Sequence, residues 1–404
     1  MDIFDKYALF ASRHEKLLQL GADPFAVRID ELHSATEADI AGRRTILAGT
    51  NNYLGLTYDP ACIAAAEAAL RHYGTGTTGS RIANGTYGLH QELEQAFARF
   101  LDRRSCLVFS TGYQANLAMI AGLASPRDVV LIDADSHASI YDACKLAGAT
   151  IVRFRHNDPA DLDRRLARLG SEGDCKLVIV EGMYSMLGDT APLREFVEVK
   201  NRHGAFLLVD EAHSFGVFGE RGRGLAEAQG VEEEVDFVVG TFSKSLGAIG
   251  GFGASNHPKF DLLRFCARPY MFTASPSPAS IASVRAALRR IDEDPSLRTR
   301  LWANAHRLHA GLVGLGLQPV APASPVIAVP LPDEASAAYA WNLLREQGVY
   351  VNLALPPGTP NSLCLLRCSV STAHTFEQID EIVRRFGAVM GALAAKAPAL
   401  AQTA

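Results

Sequence analysis

Between residues 106 and 241 the chain alternates short, continuous apolar runs with longer amphipathic segments. The runs 106–110, 128–133, 150–154, 176–181, 205–210 and 236–241 do not switch between polar and apolar residues. They predict strands buried on both faces, as in a mainly parallel sheet. The segments 111–123, 139–147, 160–169 and 192–202 predict the helices between them. That order gives an α/β layered fold. Upstream, an alanine-rich helix over 60–73 ends at Gly74, and an amphipathic helix covers 90–101. Between these two lies GTGTTGSRIANGTYG, residues 74–88, which must be a loop. A loop of this length inside a compact domain is usually functional. It does not sit between a strand and a helix of a βαβ unit, so it is not a dinucleotide loop.

The pattern differs at both ends. Residues 1–45 read as a polar, helical arm, and 50–56 (NNYLGL after Thr50) as a strand end running into a turn. Past 272–278 (FTASPSP) the sequence predicts one long helical region over 281–314. Strands over 325–329, 349–353 and 363–369 follow, then a last helix from about 375 and a frayed alanine-rich end over 392–404. The expected organisation is an arm (1–45), a large domain (46–275) and a smaller α+β domain (276–404).

A chain of 404 residues buries enough apolar surface to fold without staples. Its 39 Lys and Arg against 44 Asp and Glu leave a formal charge of −5, which excludes a generally basic surface for nucleic acid. Seven cysteines, an odd number with no CxxC and no zinc spacing, fit a reducing compartment. The opening MDIFDKYALFASRHEKLLQL mixes charges throughout, unlike a signal or transit peptide. No apolar run approaches the roughly 18 residues of a membrane span. These features predict a cytoplasmic protein whose membrane contact, if any, is peripheral.

Four segments carry chemistry. In GTFSKSLG, Lys244 follows a buried strand in a Ser/Gly-rich turn. Desolvation makes such an amine nucleophilic, which suits Schiff-base chemistry. In FLLVDEAHS, Asp210 closes an apolar strand and His213 follows three residues on. Ligands of open α/β sheets bind at that strand end. A buried carboxylate there needs a cation, and a protonated pyridine nitrogen is one. STGYQAN runs from a strand into a helix whose first N–H groups suit an anion such as a phosphate, with Tyr113 close by. DADSHAS puts His137 at another strand end, placed to stack on a flat cofactor. A pyridoxal 5'-phosphate (PLP) site needs all four parts in this order.

The motifs TNNYLGL, GSRIANGTYGLHQELE, STGYQANLA, EGMYSMLGDTAPL, VDEAHSFGVFGERGRG, TFSKSLGAIGG and LLRCSVSTAHT together resemble the α-oxoamine synthases. These PLP-dependent enzymes of fold type I condense an amino acid with an acyl thioester and release its carboxylate. The resemblance runs from about residue 50 to the final helix. It implies a large domain with a mainly parallel sheet plus a smaller C-terminal α+β domain. By position, it implies that Lys244 carries the cofactor, Asp210 binds the pyridine nitrogen, His213 the ring oxygen, and His137 stacks on the ring. Gly112, Tyr113 and Ser243 would hold the phosphate region, and Ser185 and Thr241 would contact the cofactor. Thr273 and Ser275 would reach the cofactor phosphate of a second subunit, making a homodimer with shared sites. Arg367 would hold the amino-acid carboxylate with Asn51 nearby, and Ser80 and Thr359 would line the thioester path.

Within the family, NGTYGLH and PPGTPNSLCLLRCSVSTAHT are similar to the soluble bacterial serine palmitoyltransferases. The implied reaction joins L-serine to a long-chain acyl thioester, carried on CoA or acyl carrier protein, to give 3-ketosphinganine. Asn51 departs from that likeness, since the serine-using members resemble one another in an aromatic residue there. The alternative is another member: 8-amino-7-oxononanoate synthase, 5-aminolevulinate synthase or 2-amino-3-ketobutyrate CoA ligase.

Overall fold

The structure is a computed structural model that describes residues 2–400, with side chains to residue 396. Near the N-terminus come strands β1 (Ile29–Leu32), β2 (Glu37–Ile40) and β3 (Arg43–Leu47). The central strands are β4 (Ser105–Phe109), β5 (Val129–Asp133), β6 (Thr150–Phe154), β7 (Lys176–Glu181), β8 (Phe206–Asp210), β9 (Phe237–Thr241) and β10 (Gly251–Ser255). The last are β11 (Val326–Leu331), β12 (Val349–Tyr350), β13 (Asn352–Ala354) and β14 (Cys364–Ser369).

The chain divides into two units. One holds Leu54–Ser185 and Asp189–Thr299, the other Met1–Tyr53, Met186–Gly188 and Arg300–Ala404. The first contains a seven-stranded sheet of order β4-β10-β9-β8-β7-β5-β6. From β9 to β6 every pairing is parallel, as the apolar runs predict, but β6 is the edge strand and is largely exposed, not buried on both faces as expected. All five residues of β5 are buried. At about 1.5–3 kcal/mol for each large apolar side chain removed from water, such strands dominate the stability of the unit.

The sequence reading missed β10, which lies antiparallel to both β4 and β9. Its sequence, GFGAS, lacks the bulky residues that mark a strand. The glycines answer to close neighbours. A Cβ on Gly253 would lie 2.5 Å from Met119 Sδ, and one on Gly251 2.7 Å from the Thr111 carbonyl oxygen.

The helices Pro60–Tyr73, Gly112–Leu123, Ala138–Ala147, Pro159–Leu169 and Leu193–Arg202 fall within two residues of the expected spans. Asp59 caps the first by accepting the Ala61 and Cys62 N–H groups, and Gly74 ends it at φ 78. Residues 74–88 are free of regular structure up to the helix Gly88–Phe100, as expected. The expected single helical region over 281–314 is instead two helices, Pro278–Glu293 and Ser296–Gly314. Pro295 lies between them and supplies no N–H to continue the ladder.

In the second unit the all-helical arm is corrected. Only Ala8–Gln19 is an α-helix, and β1, β2 and β3 follow it. Alternate burial along β2 places Ala38 and Ile40 inside with Leu47, Val27 and Tyr350. The strand expected to end near residue 50 stops at Leu47, and β12 joins β3 in parallel. The expected strand over 349–353 is two short ones, β12 and β13. Strands β11, β14 and β13 form a three-stranded antiparallel sheet. The last helix, Phe376–Leu400, begins where expected and continues through 392–400 of the end expected to fray, while 401–404 lie outside the described residues.

Candidate active site

Parallel strands point their C-terminal ends at one edge of the sheet, and there the chain opens a cavity of about 250 Å³. Five elements reach it. The start of the helix Gly112–Leu123 contributes Gly112, Tyr113 and Asn116. The β5 end contributes His137 and Ser139, and β7 contributes Glu181. Asp210 and His213 follow β8, and Thr241, Ser243 and Lys244 follow β9.

Asp210 is 5% exposed. Its Oδ2 accepts the Asn116 Nδ2–H at 2.7 Å, and its Oδ1 accepts the Ala212 N–H at 2.9 Å. The next residue, Glu211, is spent on structure, accepting N–H groups of Leu225 and Ala226 at 2.8 and 2.9 Å. Asn116 also donates to Ser139 Oγ at 3.0 Å, and Ser139 Oγ lies 2.8 Å from His137 Nδ1. A continuous polar chain therefore joins Asp210 to His137. His137 caps the helix Ala138–Ala147. Burial lowers its pKa, the Lys244 charge lowers it further, and the Asp210 charge opposes both, so the imidazole is neutral near pH 7. His213 is buried beside Asp210 at 4% exposure.

At the other wall the Thr111 hydroxyl accepts the Gln114 N–H at 3.0 Å, and its carbonyl accepts that of Ala115 at 3.0 Å. Gly112 and Tyr113 open that helix, where first-turn N–H groups have no intrahelical partner, and both residues line the cavity. A Cβ on Gly112 would lie 2.7 Å from Thr241 Cβ and Oγ1, so only glycine lets the helix start meet β9. Thr241 Oγ1 and Ser243 Oγ are 2.8 Å apart in the same corner. Helix N–H groups beside two hydroxyls make an anion cradle. Tyr113 is 41% exposed, its hydroxyl donates to the Asp142 carboxylate, and its ring meets His137 edge-on at 6.4 Å.

These donors fit PLP. The cradle suits a phosphate, Asp210 suits a ring cation, His137 and His213 suit ring contacts, and Lys244 is an amine within the same cavity.

The structure thus gathers Gly112, Tyr113, His137, Asp210, His213, Thr241, Ser243 and Lys244 around one space. Ser185 lies outside that lining, in the turn closed by the Met183–Thr190 bridge. Thr273 and Ser275 are outside it too. Thr273 Oγ1 accepts from Gln114 Nε2 at 3.1 Å. Ser275 Oγ sits 2.7 Å from Thr77 Oγ1 and donates to the Gly85 carbonyl at 2.7 Å. Ser80 bridges Ala274, so the 74–88 loop and the FTASPSP segment form one body. In the other unit, Arg367 on β14 is 5% exposed and donates to Asn51 Oδ1 at 3.1 Å and Ser369 Oγ at 3.0 Å. There too, the Thr359 hydroxyl donates to the Leu363 carbonyl at 2.6 Å.

Sequence reasoning missed Asn116, Ser139 and Glu181. Asn116 and Ser139 carry no signal beyond helical spacing. Glu181 did carry one, because it closes the apolar run KLVIVE as Asp210 closes FLLVD.

The family described as aminotransferase class I and II matches residues 44–386. The chain is 56% identical to a serine palmitoyltransferase of Caulobacter vibrioides over 97% of each chain. It is 50% identical to a serine palmitoyltransferase of Sphingomonas paucimobilis, over 96% of this chain and 93% of that one. Among solved structures it is similar to SPT with a PLP internal aldimine, at TM-score 0.95 and 50% identity, covering 98% of this chain and 100% of that one.

Proposed function

The chain belongs to the aminotransferase class I and II family, and from that premise we propose how its residues perform the reaction of the serine palmitoyltransferases it resembles. The chain is a PLP-dependent acyltransferase of the serine palmitoyltransferase type. It condenses L-serine with a long-chain acyl thioester to 3-ketosphinganine, releasing carbon dioxide and the thiol. The observation that carries the residue assignment is the cavity itself. It places a lysine amine, a doubly hydrogen-bonded buried carboxylate and a helix N-terminus around one space.

PLP, when bound, supplies an electrophilic carbon for the amino acid and a ring that stores the electron pair left at Cα. Asp210 would pair with the ring nitrogen, its carboxylate aimed by the Asn116 and Ala212 donors. The N–H groups of Gly112 and Tyr113, with the Thr241 and Ser243 hydroxyls, would bind the phosphate. His137 would cover the ring face, and His213 would hydrogen-bond the ring oxygen. Lys244 Nζ would first anchor the cofactor and, once displaced by serine, take the Cα proton. Arg367, hydrogen-bonded to Asn51 and Ser369, would bind the serine carboxylate. Ser185 would touch the cofactor from its turn, and the segments around Ser80 and Thr359 would line the thioester path.

We also assign a homodimer, in which Thr273 and Ser275 complete the partner's phosphate site. No helix of the described residues is long and apolar enough to cross a membrane. We infer action in the cytoplasm with peripheral access to lipid substrates. The test is a product screen by mass spectrometry that offers serine, glycine and alanine against acyl-CoA and acyl carrier protein donors of several lengths. A 3-ketosphinganine-type product from serine alone is expected. Turnover confined to glycine or alanine would overturn the serine assignment.

A further inference from the structure

Glu181 and Asp210 close neighbouring parallel strands and are direct register partners. Both are buried, at 4% and 5% exposure, and both line the cavity. Two carboxylates side by side out of water do not both ionise readily. The two differ in their donors. Asp210 accepts two hydrogen bonds, from Asn116 and Ala212. Glu181 accepts one, from the His137 backbone N–H at 2.5 Å. The charged and titratable groups acting on Glu181 are Asp210 after β8, Asp133 at the end of β5, Lys244 after β9 and Tyr184 after β7, with His137 at its hydrogen bond. Burial first, then the Asp210 charge, hold the Glu181 carboxyl well above the usual carboxylate range, against the opposing pull of the His137 N–H and Lys244.

We propose that Glu181 is a positioning residue: as a neutral carboxylic acid it clamps the His137 backbone, and it leaves Asp210 as the one negative charge offered to the ring of the bound group. The hydrogen bond crosses from β7 to the loop after β5, the segment that fixes where the His137 ring lies. The same residue thus serves two ends. Its acceptor oxygen sets geometry, and its proton keeps the field of Asp210 undivided. This deepens the PLP reading and rests on it for the second end only.

Two variants separate the ends. Glu181→Gln keeps a neutral acceptor, whereas Glu181→Ala removes the acceptor. Amide hydrogen exchange at His137, measured in cofactor-free protein, reads the clamp without any chemistry. Exchange in E181A is expected to be about tenfold faster than in wild type, the cost of one lost buried hydrogen bond, with E181Q near wild type. Equal exchange in all three proteins overturns the clamp. Reconstituted with PLP, E181Q is expected to keep the wild-type pH dependence of the visible absorbance, because no charge is removed. A displaced profile in E181Q means that Glu181 is ionised in the wild type and overturns the neutral assignment. If E181A fails to fold, E181Q still decides the charge, and Glu181→Leu, which fills the space without an acceptor, replaces E181A in the exchange test. Failure of the wild type to develop a visible band with PLP would sink the cofactor reading while leaving the exchange experiment intact.

Discussion

Lys244 is asked to do two things, to anchor the cofactor and to move the Cα proton. Removing a single acid–base group typically costs about 10²–10⁴-fold in rate. Lys244→Ala should therefore lose at least that factor in product formation while the cradle at Gly112 and Thr241 still retains PLP. Product measured by mass spectrometry and cofactor retained through gel filtration check the two halves separately. Away from the cavity, His156 bridges two carboxylates, with Nδ1 2.8 Å from Asp133 and Nε2 2.7 Å from Asp189. Burial alone would lower its pKa, but the hydrogen bonds and charges of the two aspartates outweigh it and raise the pKa from 6.5 to about 10. A raised histidine pKa stabilises the fold fully below the unfolded value of 6.5, and that contribution is lost as pH rises through about 10. Melting temperature should accordingly fall across that window in the wild type and more weakly in His156→Ala. At neutral pH the variant should be less stable by about 3–5 kcal/mol, because Asp133, fully buried, loses its cation. The sequence announced Lys244, Asp210 and His137 because each stands at the end of an apolar strand. It was silent on Asn116 and His156, whose partners lie 23 or more positions away in the chain.

Strands and helices were legible to the degree that their residues speak for themselves. The parallel strands carry their own apolar runs, so β6 and β7 match the expected ends. Strand β10 does not, because its composition answers to what presses on it, Met119 and the Thr111 turn, and not to intrinsic strand preference. The N-terminal strands were hidden for a related reason. All four residues of β1 are exposed, so no apolar pattern marks it, and only cross-strand pairing with β2 makes it a strand. The same close approach yields a prediction at the start of the helix Gly112–Leu123. In Gly112→Ala the new methyl must displace Thr241 or push the helix away from β9, a strain of about 1–3 kcal/mol. PLP affinity should drop about tenfold or more as the phosphate cradle opens, read by titrating cofactor into apoprotein. An unchanged affinity would show that the helix start and β9 need not meet for the phosphate to bind.

For the molecule entire, the question is whether one chain makes a complete site. FTASPSP is tied to the 74–88 loop through the Ser275–Gly79 and Ser275–Gly85 hydrogen bonds and the Ser80–Ala274 bridge. Neither Thr273 nor Ser275 lines the cavity of its own chain. A segment so well anchored, with hydroxyls that the family resemblance assigns to a phosphate, is suited to serve a neighbouring copy. The formal charge of −5 is too small to oppose association, and two-fold dimers are the commonest soluble oligomers. Mixing a Lys244→Ala chain with a Thr273→Ala/Ser275→Ala chain makes the expectation quantitative. In a mixed dimer one site loses both functions, while the other keeps Lys244 and receives an intact FTASPSP segment from its partner. With random exchange half of the dimers are mixed and half of their sites are whole, so activity should recover to roughly a quarter of wild type. Each parent alone should remain nearly inactive, and melting curves of both parents would confirm that they fold. A mixture no more active than the sum of its parents, or a fully active species with the mass of one chain by light scattering, would place the complete site within a single chain.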